Sequence, residues 1–535
     1  MQEARRLRWI MRVLLCLVAF ALRLGPLWVN RFHPDEALYS SWALAIAYGR
    51  DVLLAHAVLD KPPLPFYLMA VVFFILGRIE IAARLISLMA SLVSVALTWQ
   101  LARKLKISSP SATLALALSP FAILFSSTAF LDPLMVMFVV ASLVAGTHKQ
   151  PGWAGMWLAL AATTKVEAFI FLPLVVACGV IAHHACHQDI KLRDLGSKWL
   201  GVCVRFAAGL ALPIIVTLML ERLRGGTLFW INMTINYGGT RPIFASEVMP
   251  RLIGWARWLP FLFGWPMLIG LAIGLPLLLI HDLTRGARTR AAVLDFTLVG
   301  FTLGYLVLLW LLAIPVWDRY LLGLVPVTSL LVGRLVNWLG HLVTSLPAVV
   351  NLSRAKGLCR TEILRRFAAQ NDELAEDFRR VPGSWSHSLP ITSWIATLAV
   401  AALMIYPASQ AFKSKLPIGG DHGAQDGIDR VTDYLRSYPY GTVLYDHWLG
   451  WSLRYYLWDA TPYVAYVATP EWLAADLHVF GRTSPRFIIF PATESTARIE
   501  RALGAEGFAL APVLSTQNRY GQPTFVLYRI EPFAR

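Results

Sequence analysis

Charge and cysteine are both scarce in this chain, and each scarcity closes off a class of protein. Only 15% of the 535 residues are Asp, Glu, Lys or Arg, against 57% hydrophobic, a balance too apolar for a soluble globule of this length. The five cysteines (Cys16, Cys178, Cys186, Cys203 and Cys359) lie in or near hydrophobic stretches or in a basic loop, and none follows residue 410. That distribution excludes a disulfide framework and zinc-finger spacing. The sequence has no internal repeat and no low-complexity tract, so the inverted halves common in transporters are not visible in it. Acidic residues are outnumbered, 32 to 48 basic ones, for a net charge of +16. The basic residues fall mainly between hydrophobic segments, where they read as orientation signal rather than as nucleic-acid contacts.

What the chain has instead is hydrophobic length. A bilayer core takes roughly 20 apolar residues per helix, and stretches near that length recur down to residue 409. The opening Met1–Arg12 is basic, but Trp9–Val29 is long enough to span and no small-residue cleavage site follows it. It reads as a first transmembrane helix rather than a signal peptide. Leu64–Gly77 is short for a span and follows Lys61-Pro62-Pro63. If it crossed, Arg103, Lys104 and Lys106 would face outside, against the positive-inside tendency. Placing it in the outer interface leaves spans near 9–29, 81–101, 112–130, 133–147, 152–164, 168–182, 200–220, 258–280, 294–313, 318–338 and 390–409.

These about eleven crossings set the N-terminus inside and the C-terminus outside. Arg103/Lys104/Lys106, Lys191/Arg193/Lys198, Arg285/Arg288/Arg290 and the stretch Arg354–Arg380 then fall in inner loops. The expected fold class is an all-α polytopic membrane domain over 1–410, followed by a small soluble α/β domain over 411–535 outside. In that second part the β-rich runs Thr442–Tyr445, Phe487–Phe490 and Thr524–Ile530 alternate with helical or turn segments such as Gly427–Ser437.

On this topology three polar sites share the outer face. The first outer loop, 30–80, holds His33-Pro34-Asp35-Glu36 and Asp60-Lys61-Pro62-Pro63-Leu64. Asp132-Pro133 sits between spans three and four, and Trp317-Asp318-Arg319-Tyr320 opens span ten. Ionisable residues at membrane depth are costly and mark function by default. Pro34 suits a first helical turn, Gly49 can end that helix, and Leu38, Trp42, Ala45 and Ile46 share one face. This predicts an amphipathic helix on the membrane surface with Asp35 and Glu36 at its N-terminus, where the dipole favours their ionised form. A carboxylate there can take a proton from an attacking hydroxyl, and neighbouring cations suit a phosphate leaving group. Read locally, the same residues also fit blander roles. Asp35 and Glu36 can simply cap the helix, Asp132 can be an N-cap, and Lys61 and Arg319 can snorkel to the interface. Convergence of distant carboxylates and cations at one depth favours the chemical reading.

The order of these motifs resembles a known family. Asp35-Glu36 after the first span, Lys61-Pro62-Pro63-Leu64, Arg84 in Ala-Ala-Arg-Leu, Asp132-Pro133 and Asp318-Arg319-Tyr320-Leu321-Leu322 together look like the polyprenyl-phosphate-sugar-dependent glycosyltransferases of the GT-C fold. The protein O-mannosyltransferases and the lipid A aminoarabinose transferases are the relatives. The resemblance implies transfer of a sugar from an undecaprenyl or dolichyl phosphate to a glycan, lipid or protein acceptor on the outer face, with inversion. It maps the family's base onto Asp35, with Glu36 beside it, and its second acidic position onto Asp132. Lys61, Arg84 and Arg319, with His33 and Tyr320 nearby, fall to the lipid phosphate or the fold of the site. One departure stands out: the aminoarabinose transferases carry Glu before Lys-Pro-Pro, and this chain carries Asp60. The chemistry requires no metal, and that departure leaves a divalent ion at this carboxylate open.

Other features weigh less. His183-His184-Ala185-Cys186-His187 has metal-ligand chemistry but reads as a solvated inner helix end. His447-Trp448-Leu449-Gly450-Trp451 suits either a packed core or contact with sugar or lipid. Asn232-Met233-Thr234 fits a glycosylation acceptor. The loop Glu221–Arg257, with Asn236-Tyr237-Gly238-Gly239, is placed to gate the site. A transporter or flippase is the competing class; it predicts charges near mid-membrane.

Overall fold

A computed structural model describes residues 2–184, 192–237, 241–284, 289–355 and 391–533. The basic loops around Lys191, Arg285/Arg288 and Arg360–Arg380, and Ala185-Cys186-His187 with Cys359, lie outside those residues. Apolar helices dominate up to Phe412, and a five-stranded sheet with short helices makes up the remainder.

Six helices among the described residues are long and apolar enough to cross a membrane: Trp9–Leu27, Glu80–Lys104, Leu200–Arg224, Trp265–Thr284, Arg290–Leu311 and Ile395–Phe412. Several other expected spans are shorter than a bilayer needs. The stretch expected at 112–130 is two helices, Ser109–Leu118 and Pro120–Phe125, because Pro120 cannot donate the bond that would continue the first. Next come Asp132–Thr147, Pro151–Ala162 and, after a 3-10 turn at Val166–Phe171, Leu172–His184. Nearly every side chain from Ser111 to Met135 is buried. A helix wrapped by protein need not match the lipid thickness, and its irregular backbone is satisfied by neighbours rather than exposed to hydrocarbon.

The break at Ser119 shows how. Arg23, fully buried in the first helix, donates from Nη1 to the carbonyls of Ala19 (2.9 Å) and Ala117 (3.2 Å), and from Nε to Ser91 Oγ (2.9 Å). Ser119 Oγ donates to the Leu262 carbonyl at 2.7 Å. A cation is thus held where a helix C-terminus carries its negative partial charge.

Pro34–Ala47 forms the expected helix, with Pro34 in its first turn and Gly49 at φ +69 just beyond it. It is not a one-faced surface helix, however. Glu36, Ala37, Ser40, Ser41, Ala43 and Leu44 are buried as well as Tyr39 and Trp42. Two neighbours clamp it. Phe66 of helix Leu64–Leu76 lies 5.6 Å from the Tyr39 ring and 4.9 Å from that of Trp42. On the other flank helix Gly450–Tyr456 of the C-terminal part packs against it.

The C-terminal strands are β1 (Val443–Asp446), β2 (Tyr463–Tyr466), β3 (Arg486–Pro491), β4 (Phe508–Gln517) and β5 (Pro523–Pro532), ordered β2-β1-β3-β5-β4. β1 runs parallel to β2 and β3, whereas β5 is antiparallel to β3 and β4. β1, β3 and β5 were the β-rich runs visible in the sequence. Ion pairs and hydrogen bonds tie this part to the helices: Arg78–Asp459 at 2.9 Å, Arg31–Asp429 at 2.9 Å, and Tyr456 OH to Glu80 at 2.6 Å.

Candidate active site

Asp35 stands in the first turn of helix Pro34–Ala47, and Arg319 in the 3-10 turn Asp318–Leu321. Across 284 residues of sequence they form one ion pair, Nη1 to Oδ2 at 2.6 Å. Arg319 is also held between rings, its guanidinium 4.2 Å from Trp317 and 5.1 Å from Phe130, while its buried Nε has no protein partner. Burial acts to raise the Asp35 carboxyl, but the Arg319 guanidinium, with His33 and Lys61, outweighs it and holds the group below its ordinary range. His33 caps the helix, its Nδ1 accepting from the Asp35 backbone N–H at 3.2 Å. Burial pushes this imidazole down from its usual value, Asp35 opposing and Arg319 adding to the shift.

Two further pairs converge here. Lys61 Nζ lies 2.9 Å from Asp60 Oδ2 and donates to Tyr237 OH at 2.9 Å. Tyr237 OH and Asn236 Nδ2 in turn donate to the same Asp60 oxygen, at 3.2 and 3.3 Å. Asp132, opening helix Asp132–Thr147, accepts from Lys165 Nζ at 2.8 Å, and Glu167 is 3.6 Å from that ammonium. The clusters join through aromatic rings. Lys165 sits 4.2 Å from the Tyr320 ring, Tyr320 stacks on Trp317, and Trp317 meets Tyr237 edge-on at 5.9 Å.

Glu36 and Arg84 stand apart from this group. Glu36 is fully buried and turned inward, with Arg84 Nε at 3.3 Å, the Ala129 N–H at 2.8 Å and the His33 N–H at 3.3 Å. Arg84, also buried, donates to the carbonyls of Leu27 (3.2 Å) and Asn30 (2.9 Å). This pair ties the helix bearing Asp35 to helix Glu80–Lys104. Of the expected site residues, then, the structure gathers His33, Asp35, Lys61, Asp132, Arg319 and Tyr320 at one end of the bundle and leaves Glu36 and Arg84 behind them.

Sequence reasoning passed over Lys165 and Glu167, although an ion pair in Thr164-Lys165-Val166-Glu167 between apolar runs is a detectable signal. The loop at Asn236-Tyr237 and the carboxylate of Asp60 each stand out in the sequence, but their pairing does not. Elsewhere, Asn232 Nδ2 is committed to the Leu59 carbonyl at 2.7 Å. In the aromatic run Leu449 is buried, whereas Trp448 and Trp451 are exposed.

Asp318 links the site to the C-terminal part. Its Oδ1 accepts from the Arg319 N–H at 2.8 Å, and its Oδ2 from the Gly419 N–H at 2.9 Å. Gly419 and Gly420, at φ +65 and +106, let the strap between the last long helix and the sheet turn tightly over this end.

A multi-pass helical bundle with paired charges gathered at one end and a small mixed sheet packed beside them is an ArnT-like architecture of the GT-C type. The chain superposes on crystal structures of ArnT from Cupriavidus metallidurans. The form bound to undecaprenyl phosphate matches with TM-score 0.58 and 14% identity over 97% of each chain, and the apo form with 0.54 and 14% over 98% of each. Residues 60–216 match the family described as dolichyl-phosphate-mannose-protein mannosyltransferase, a stretch that holds Asp60, Lys61, Arg84, Asp132 and Lys165. No curated protein matches the sequence. Both matches fall on the group of proteins that the sequence motifs resemble.

Proposed function

We propose that this chain is a membrane glycosyltransferase that moves a sugar from a polyprenyl-phosphate carrier to an acceptor on the outer face of the membrane, inverting the anomeric carbon. The acceptor class is a glycan, lipid or protein hydroxyl. The observation that carries this reading is the Asp35–Arg319 pair, 2.6 Å apart, in a patch that also holds Lys61 and Lys165. Two similarities support it: the match to mannosyltransferases that use dolichyl-phosphate-mannose, and the likeness to an ArnT that holds undecaprenyl phosphate.

While Arg319 is beside it, Asp35 is a weak base. A phosphate competes well for a guanidinium, so an arriving donor draws Arg319 toward itself and strips Asp35 of its counter-charge. Burial then loses its largest opponent, and the carboxylate's proton affinity rises. Asp35 takes the proton of the acceptor hydroxyl as its oxygen bonds to the anomeric carbon. The bond from that carbon to the phosphate oxygen breaks, and Arg319 and Lys61 receive the leaving charge. Asp132 holds Lys165, and with it the Tyr320 ring. Glu36 and Arg84 hold the helix that presents Asp35.

This reading takes no divalent metal as essential. Three donors already converge on Asp60 Oδ2, one of them an ammonium at 2.9 Å, which is not the donor set a cation needs.

The test is to incubate the purified protein with defined polyprenyl-phosphate sugars and follow their consumption. At least one should be consumed, and Asp35→Asn should bind it without transfer. Full transfer by Asp35→Asn removes that residue from the mechanism; no consumption of any donor leaves the transport reading ahead.

A further inference from the structure

A second site lies at the far end of the bundle. Helix Asp132–Thr147 starts at the ion-pair cluster and runs away from it for 16 residues, about 24 Å. At its far end the chain turns through Lys149, at φ +61, and returns as Pro151–Ala162 to Lys165. Between that turn and helix Leu192–Arg224 lies a cavity of 480 Å³, lined by Lys149, Gln150, Trp153, Met156 and Arg205 with the glycines Gly152 and Gly209.

The sequence builds this cleft deliberately. Gly152 and Gly155 meet Gly209 and Phe206 backbone to backbone: a methyl on Gly209 would strike the Gly152 carbonyl, and one on Gly155 the carbonyl of Phe206. Small residues thus let the two helices touch, and beside the contact the longer side chains stand off and leave the space open. Few side chains of Leu200–Arg224 are fully buried by protein, so the flank turned away from Pro151–Ala162 meets lipid. Arg205 lies in that apolar span and is exposed, as is Lys149. Neither has a carboxylate partner among the described residues. Trp153 is 53% exposed, and an indole at the rim of a bilayer sits at headgroup level. Two cations without a carboxylate partner among the described residues, an amide and an indole around this cleft suit an anionic occupant with an apolar tail.

We propose that this cleft seats the phosphodiester headgroup of an anionic phospholipid, with Lys149 and Arg205 flanking the phosphate, Gln150 donating to it, and an acyl chain lying along Leu200–Arg224. Basic pockets between membrane helices recognise such headgroups through charge at the interface. The seat stands apart from the proposed transfer site and does not depend on it.

Native mass spectrometry of the full-length protein tests this, with release from nanodiscs of phosphatidylcholine containing a minor fraction of phosphatidylglycerol. Wild-type protein should retain phosphatidylglycerol above its share. Lys149→Gln and Arg205→Gln should each lower that retention roughly fivefold, and their combination further, while Arg205→Lys keeps it. Inorganic phosphate added in detergent should not displace the lipid. Equal retention of both lipids by the wild type overturns the proposal, as does unchanged retention in the glutamine variants. Displacement by phosphate alone overturns it in favour of a free-phosphate site. Should the double variant fail to fold, the two single variants, checked by gel filtration, are read in the same way.

Discussion

The two ends of the helical bundle treat charge in opposite ways. At one end Arg319, Lys165, Lys61 and Arg84 are all buried, and each has a carboxylate within 3.3 Å. At the other, Arg103, Lys104, Lys106, Lys149 and Arg205 are exposed; a tight pair near it, Arg334–Asp295 at 2.6 Å, bolts two helices together. Taking a charge out of water costs several kcal/mol before any partner returns the loss. A cluster of such pairs is poor value as glue. It makes sense where an incoming anion is to exchange for one of the carboxylates. Exposed cations cost almost nothing and act through lipid and orientation. Within the paired end a finer contrast separates Asp35, part-exposed and facing its cluster, from Glu36, buried behind it.

The largest effects should fall on that contrast. Asp35→Asn removes the proposed base and should lower the transfer rate by about a thousandfold, read as initial rates with a polyprenyl-phosphate sugar. It should cost some stability as well, because it takes the counter-charge from buried Arg319, which keeps its two rings. Glu36→Gln should act mainly on stability. It leaves buried Arg84 only Glu80, 3.5 Å away, as counter-ion, costing roughly 2–3 kcal/mol of stability, seen as a lower thermal midpoint in detergent. If Glu36→Gln left stability unchanged while abolishing transfer, the assignment of the two neighbours would have to be exchanged.

A smaller effect concerns the strap from the C-terminal part. Asp421 is buried there, one carboxyl oxygen accepting from the Gln425 N–H at 2.8 Å and the other without a partner. Burial, aided by the charge of Asp426, pushes this carboxyl up to about 6. Its unfolded value is about 3.9, so the folded state binds the proton more tightly. The resulting stabilisation is complete below about pH 4 and is lost as pH rises through 6. Asp421→Asn, which keeps the neutral shape, should match wild type near pH 4 and exceed it by up to about 3 kcal/mol at pH 7. Thermal midpoints across that range would show it. Parallel curves for the two proteins would mean that the carboxyl titrates normally.

Much of this was legible in the residues themselves. Pro34 and Gly49 bound a helix by backbone chemistry alone, and the hydrophobic lengths of Trp9–Leu27 and Glu80–Lys104 announce crossings. Pairing across distance was not legible. Nothing near Arg319 in sequence points to Asp35, and nothing near Lys165 points to Asp132. Helix lengths inside the bundle also escaped, because a span at 112–130 is inferred from lipid thickness while those residues are wrapped by protein. The burial of helix Pro34–Ala47 escaped for a related reason. Its apolar face was visible, but the serines on its other side gave no sign that a second helix covers them. β4 was hidden by Pro512 and by register shifts at Pro512/Leu514 and Ser515/Gln517, which break the alternation that marks a strand.

The smallest expected effect is at the opposite end, and it matters because it is small. Arg103 and Lys104 close helix Glu80–Lys104 as its last basic turn, where they complement the helix dipole and are exposed to solvent screening. Replacing both by Gln should shift stability by no more than about 0.5 kcal/mol and leave transfer by purified protein within about twofold, since neither contacts the ion-pair cluster. Their cost should appear instead in the cell, as a rise in wrongly oriented protein, because loop cations set orientation. A protease-protection assay on whole cells reads that fraction directly. A large loss of purified activity from this pair would mean that the two ends are coupled through the length of the helix that also carries Arg84, and the division of labour between them would fail.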